Sequence, residues 1–208
     1  MGKPYRAKDH FFAKAKRQGL RARSAFKLEE ILERFHLIRH GFRVLDLGAA
    51  PGGFLQVLAK AVGPEGKVIG IDVVPIRPLP LPWVKTEVLD AMDPELDRKL
   101  AALHPAAFDA VISDLAPKTT GIRTTDEARS LALATRAADI AQAHGAAGSC
   151  LVVKLFMGGD FDSFRSLLKN RYREVKVIRP QATRAASVEV YLLGLDKGRV
   201  SEAERAPP

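Results

Sequence analysis

Residues 44–54, Val-Leu-Asp-Leu-Gly-Ala-Ala-Pro-Gly-Gly-Phe, decide how the rest of the chain is read. Val44, Leu45 and Leu47 make the short apolar run of a strand covered on both faces, and from Gln56 the chain resumes a helical pattern. Gly48, Gly52 and Gly53 mark the crossover. Glycine there permits positive φ and lets a ligand approach where a Cβ would stand in the way, while the next helix offers unpaired N–H donors. A strand, a glycine-rich turn and a helix in that order make a seat for a nucleotide-like ligand.

The alternation continues outward. Ser24 stands as a cap, and Ala25, Leu28, Ile31, Leu32 and Phe35 recur at helical spacing, which predicts an amphipathic helix over 25–35 with Lys27 off its apolar stripe. Strands are expected over 67–72, 83–89, 108–114 and 149–156, and helices over 94–103, 126–144 and 161–170. Two last strands, 174–178 and 188–195, should pair as an antiparallel hairpin at one edge. The pattern predicts an α/β, Rossmann-like fold, with a mostly parallel central sheet, helices on both faces and ligands beyond the carboxyl ends of the strands.

Composition narrows the classes. The 208 residues, 47% apolar, suffice for one sizeable core, expected over 24–196, with a flexible tail over 197–208. Cys150 is the only cysteine, which removes a disulfide framework and leaves no cysteine cluster for a metal. No apolar stretch approaches the roughly 18–20 residues that span a bilayer, and no signal-peptide pattern follows the basic start. A cytoplasmic monomer without a membrane or obligate protein partner is expected. The net charge is +9, and residues 1–23 hold eight Lys or Arg against one acid, Asp9. With Tyr5, Phe11 and Phe12 interleaved, this basic arm suits phosphate contacts and base stacking, hence a nucleic-acid partner.

Acids close successive strands. Asp72 ends the second, 24 residues after Gly48, where a carboxylate commonly takes ribose hydroxyls. Asp90 ends the third and Asp114 the fourth, so three carboxylates line one rim. The turn does not fit the Gly-x-Gly-x-x-Gly of dinucleotide enzymes, which weakens an oxidoreductase reading and favours a single nucleoside. S-adenosylmethionine answers that description, its methionine end against the glycine turn and its ribose on Asp72. Ser113-Asp114-Leu115-Ala116-Pro117 lacks the paired prolines and aromatic ring with which amino-methylating enzymes grip a base. No cysteine lies there to attack a pyrimidine carbon.

The blocks Ser24-Ala25-Phe26-Lys27-Leu28, 46–54, Ser113 to Pro117, Val152-Val153-Lys154-Leu155-Phe156 and Glu189-Val190-Tyr191 together resemble the FtsJ family of ribosomal RNA 2′-O-methyltransferases, from about Arg21 to Gly194. The resemblance implies a catalytic tetrad of Lys27, Asp114, Lys154 and Glu189, and cofactor contacts at Gly52, Phe54, Asp72, Asp90 and Asp114. It also implies S-adenosylmethionine as methyl donor and, as target, a uridine in the A-loop of large-subunit ribosomal RNA, presented on an assembled subunit. Two positions depart from the family pattern: Phe54 replaces a usual Trp, and Lys118 falls where Pro-Asn-x-Ser-Gly is common. A transfer-RNA or cap-directed enzyme of the same chemistry, or an RNA-binding assembly factor without activity, are the alternatives.

A ribose hydroxyl is a poor nucleophile whose proton must leave as it attacks a methyl group. A lysine can take that proton only when neutral, a form that nearby positive charge and desolvation favour and carboxylates oppose. Lys154 is therefore expected as the base, steered by Asp114, with Lys27 and Glu189 positioning the hydroxyl and balancing charge.

Overall fold

The computed structural model describes residues 10–184 and 187–198. Helix α1 (His10–Arg17) and helix α2 (Ala25–Phe35) precede strand β1 (Arg43–Leu47), helix α3 (Gly53–Val62), β2 (Lys67–Asp72) and β3 (Val84–Val88). Then come α4 (Leu96–Leu103), β4 (Phe108–Ser113), α5 (Arg123–His144), β5 (Gly145–Phe156), α6 (Phe161–Arg171), β6 (Tyr172–Ile178) and β7 (Glu189–Lys197). The strands form one sheet in the order β3-β2-β1-β4-β5-β7-β6. The order reverses between β1 and β4, which opens a crevice at their carboxyl ends.

β1 shows why the sheet is central: Val44, Leu45, Asp46 and Leu47 are all fully buried. On one face Leu45 and Leu47 pack with Leu96 and Leu100 of α4, Ala134 and Ala138 of α5, and Phe164 and Leu168 of α6. On the other, Val44 packs with Leu28 and Ile31 of α2 and Leu55 and Leu58 of α3. Burial on both sides explains the unbroken apolar runs of the inner strands.

β7 alone runs against the others, pairing antiparallel with both β5 and β6, so β6 at the edge is parallel to the first five strands. The order follows from composition. Val190 to Leu193 are buried on both faces, as a strand with two neighbours requires, whereas β6, Tyr-Arg-Glu-Val-Lys-Val-Ile, exposes charges suited to an unpaired edge.

Three expectations change. The basic arm is helical over His10–Arg17, and Phe11 packs against Phe26 with ring centroids 5.7 Å apart, in one cluster with Ala15 and Ala182. Phe11 is thus a packing residue, while Phe12 stays exposed; Tyr5 lies outside the described residues. α5 begins at Arg123 rather than 126, because the Asp126 carboxylate accepts the Thr120 and Gly121 N–H groups at 2.7 and 3.1 Å and folds the preceding loop onto the first turn. Lys197 belongs to β7 rather than to a tail, and residues 199–208 lie outside the described residues. Among the described residues no helix is long and apolar enough to cross a membrane.

Candidate active site

The glycine turn is shaped by its neighbours. Gly48 has φ +77°, and a Cβ there would come within 3.0 Å of the Leu115 nitrogen, so the turn and the end of β4 meet only because residue 48 is bare. Between them lies a 390 Å³ cavity lined by Gly48, Ala50, Asp72, Asp90, Asp114 and Lys154, with Leu115 and Leu133 as apolar walls. Its size suits a small ligand. The Asp72 carboxylate accepts the Ala50 N–H at 2.9 Å and the Val74 N–H at 3.0 Å, which fixes it at the mouth with lone pairs to spare. Asp90 is held likewise by the Met92 N–H at 2.9 Å. The three acids expected on one rim do converge there.

Gly52 and Phe54 do not line this cavity. Phe54, in the first turn of α3, is buried in the core cluster that includes α2, so its ring offers no face to a ligand. At Gly52, with φ +104°, a Cβ would strike the Arg21 guanidinium at 2.7 Å. That guanidinium reaches over the turn to the carbonyls of Pro51, Arg77 and Pro78. Gly52 therefore makes room for Arg21, which ties the turn to the loop between β2 and β3, a contact without any sequence signal.

The lysines and carboxylates gather in two linked pairs. Lys154, 7% exposed, donates to the Asp114 carbonyl at 2.6 Å and to its Oδ1 at 2.9 Å. The β5–β7 register sets Lys154 opposite Tyr191 and Phe156 opposite Glu189, which places Glu189 two residues along the same face. Lys27 comes from α2, 162 residues away in sequence, and its ammonium pairs with Glu189 Oε1. Lying off the apolar stripe, it is nevertheless only 6% exposed, because its nitrogen reaches across to β7. Two cations and two carboxylates offset one another in this group, as burial demands.

Two members were not singled out from sequence. Tyr191 is fully buried and its hydroxyl donates to Asp114 Oδ1 at 2.7 Å, the same oxygen that receives Lys154. Burial, then the charge of Asp114 and the bond to it, hold the phenol well above its usual range, so it stays a donor. The Lys27 ammonium lies 6.0 Å from its ring centroid, so Tyr191 stands between the two pairs. The period-two spacing from Glu189 was the available signal. Asp46 is fully buried, and both its carboxylate oxygens lack a hydrogen-bond partner. Desolvation, with Asp114 and Asp72 adding repulsion, raises its pKa well above the usual carboxylate range and favours the neutral acid. A lone acid in an apolar strand was its signal.

A nucleoside-sized cavity behind a glycine turn, three acids at strand ends and a buried lysine–carboxylate group fit a methyl donor with a ribose, an ammonium and a sulfonium. Comparisons with known proteins agree. The chain is 60% identical over 206 residues to "Ribosomal RNA large subunit methyltransferase E" of Myxococcus xanthus, covering 99% of this chain and 96% of that one. It is 52% identical to the protein of the same name from Anaeromyxobacter sp. strain Fw109-5, covering 75% of that chain. A solved structure described as a ribosomal RNA methyltransferase from Plasmodium falciparum superimposes with a TM-score of 0.76 over 86% of this chain and all of that one, at 24% identity, a likeness of fold. The model of the FtsJ-like methyltransferases matches residues 20–197, and the chain belongs to that family, whose members use S-adenosylmethionine as methyl donor.

Proposed function

We propose that this chain methylates the ribose 2′-oxygen of a uridine in the A-loop of large-subunit ribosomal RNA, acting on the assembled subunit as a cytoplasmic monomer. The observation that carries the reading is the convergence of Lys27, Asp114, Lys154 and Glu189, drawn from α2, the end of β4, β5 and β7, beside the one cavity that also holds Asp72 and Asp90. The shared name of the relatives at 60% and 52% identity supports large-subunit ribosomal RNA as the substrate.

Bound in this cavity, S-adenosylmethionine supplies an electrophilic methyl group on a cationic sulfur. Asp72 and Asp90 would hold its hydroxyl and ammonium donors, with Gly48 and Ala50 of the glycine turn lining the same cavity. Lys154 takes the proton that the 2′-hydroxyl loses as the oxygen attacks. Asp114 aims the amine through two acceptors, its carbonyl and Oδ1, and Tyr191 fixes that carboxylate from the other side. Lys27 and Glu189 orient the incoming ribose and keep the group near neutral. Little new chemistry is asked of the protein, so positioning carries much of the rate. The basic residues in the last turn of α1, Lys14, Lys16 and Arg17, are suited to contact the phosphate backbone of the RNA.

The test is transfer of labelled methyl groups to undermethylated large subunits and to naked ribosomal RNA, followed by mapping of the alkali-resistant linkage. One 2′-O-methyluridine in the A-loop, formed on subunits, is the expected product. Label in transfer RNA or at a messenger cap, or none in any RNA, refutes the reading.

A further inference from the structure

The proposed reaction brings an RNA ribose to Lys154, and the rim on that side of the cavity carries side chains that the chemistry does not use. Ile122, Met157 and Val188 are 61%, 41% and 42% exposed. They follow β4, follow β5 and precede β7, the three adjacent strands whose ends carry Asp114, Lys154 and Glu189. The Met157 N–H donates to the Val188 carbonyl at 2.9 Å, extending the β5–β7 ladder one pair beyond Phe156 and Glu189. By strand alternation this pair continues the face of Leu155 and Val190, which pack among α5 and α6 residues, whereas Lys154 and Tyr191 share the face toward α2. Ile122, the residue before α5, is exposed as well. The reacting group is therefore flanked by the Lys27–Glu189 pair on one side and an apolar shelf on the other.

The loop between β4 and α5 completes the shelf. Leu115 and Ala116 line the cavity, and Lys118, two residues on, is exposed, its ammonium without a carboxylate partner among the described residues. Asp126 accepts the Thr120 N–H at 2.7 Å, the Thr120 hydroxyl at 2.9 Å and the Gly121 N–H at 3.1 Å, so the loop is braced before any substrate arrives. Exposed apolar groups next to the strand ends that carry the reacting group call for a ligand that covers them. Apolar faces beside an unpaired cation fit single-stranded nucleic acid, which presents base faces and phosphates together; a duplex hides the faces and presents only its backbone.

Resting on the RNA reading above, we infer that Ile122, Met157 and Val188 receive the faces of unpaired nucleobases adjoining the target ribose, with Lys118 on a neighbouring phosphate. Such a shelf selects unpaired RNA, and Ile122, Met157 and Val188 leave base identity unread, since none of the three can hydrogen-bond a base edge.

The probe is an oligouridine carrying 4-thiouridine, photo-crosslinked to the full chain and mapped by peptide mass; the competitor is the same strand in a duplex. Adducts at Met157, Val188 or within 116–123, lost in the duplex, are expected. Adducts confined to 10–23, or equally strong with the duplex, overturn the inference. In turnover, the M157S/V188S variant is expected to raise the KM for undermethylated subunits about tenfold with kcat and cofactor binding unchanged, and M157L/V188L to restore it. A wild-type KM in the serine variant overturns it as well. Should the chain crosslink on the shelf yet transfer no methyl group to RNA, the shelf stands and the enzymatic reading falls.

Discussion

Two buried lysines occupy opposite ends of one sheet. Lys197, closing β7, donates to the Gln142 and Gly145 carbonyls at 2.5 and 2.6 Å, where α5 gives way to β5. It satisfies orphan carbonyls at the negative end of a helix, a structural use of charge. Lys154 donates to a carbonyl and a carboxylate of Asp114, and that carboxylate is shared with Tyr191 on a cavity wall. Burial shows that a lysine is held; the company it keeps shows what for. Volume alone misleads in the same way. The end near Lys197 has the larger depression, 570 Å³, lined by Ala147, Gly148, Asn170, Arg173, Asp196 and Gly198, yet Asp196 is the single acid among its lining residues and no set of converging acids accompanies it.

The comparison breaks most readily through the lysines themselves. K154A is expected to lower kcat by about 10²–10⁴-fold, the range of a lost general base, with cofactor affinity by calorimetry unchanged. K197A should leave kcat intact and lower unfolding stability by about 1–3 kcal/mol, the cost of stranding buried acceptors. A folded K197A protein without turnover, or an active K154A, would erase the distinction.

Tyr191 sharpens it. Y191F removes the bond to Asp114 while keeping the ring, and kcat should fall about tenfold, in line with a hydrogen bond to a charged group, without change in the KM for cofactor. If cofactor binding falls instead, Tyr191 shapes the cavity rather than the base.

Asp46 gives the smallest effect and the one tied to pH. Its pKa is raised in the folded chain, so the stability gained by keeping it neutral is complete below about pH 4, the ordinary aspartate range, and is lost as pH rises toward its folded value. D46N has no such slope. Its stability relative to the wild type, by thermal melts without methyl donor, should rise steadily as pH increases above about 4. A gap that stays constant over that range rejects a neutral Asp46.

Much of this was legible in local pattern. The span of α2 coincides with its expected range, as does that of β2, because hydrophobic period and turn chemistry are properties of short stretches. Asp72, Asp90 and Asp114 fell at strand ends for the same reason, and parallel order carries all such ends to one rim. The two phenylalanines were not legible. Phe11 in the basic arm and Phe54 after the glycine turn read as ligand-facing rings, and both pack inside, since which side of a helix is covered depends on what the rest of the chain lays against it.

Sequence alone settled the strand–turn–helix seat, the alternating order and the residues able to carry charge, all encoded by neighbours within a few positions of one another. Only the tertiary structure decided that β7 enters between β5 and β6, which sets Tyr191 against Lys154 and carries Glu189 to Lys27. That choice rests on pairing and burial between segments far apart in the chain. No local periodicity records it, because the free energy that fixes it exists only once both faces of the sheet are covered.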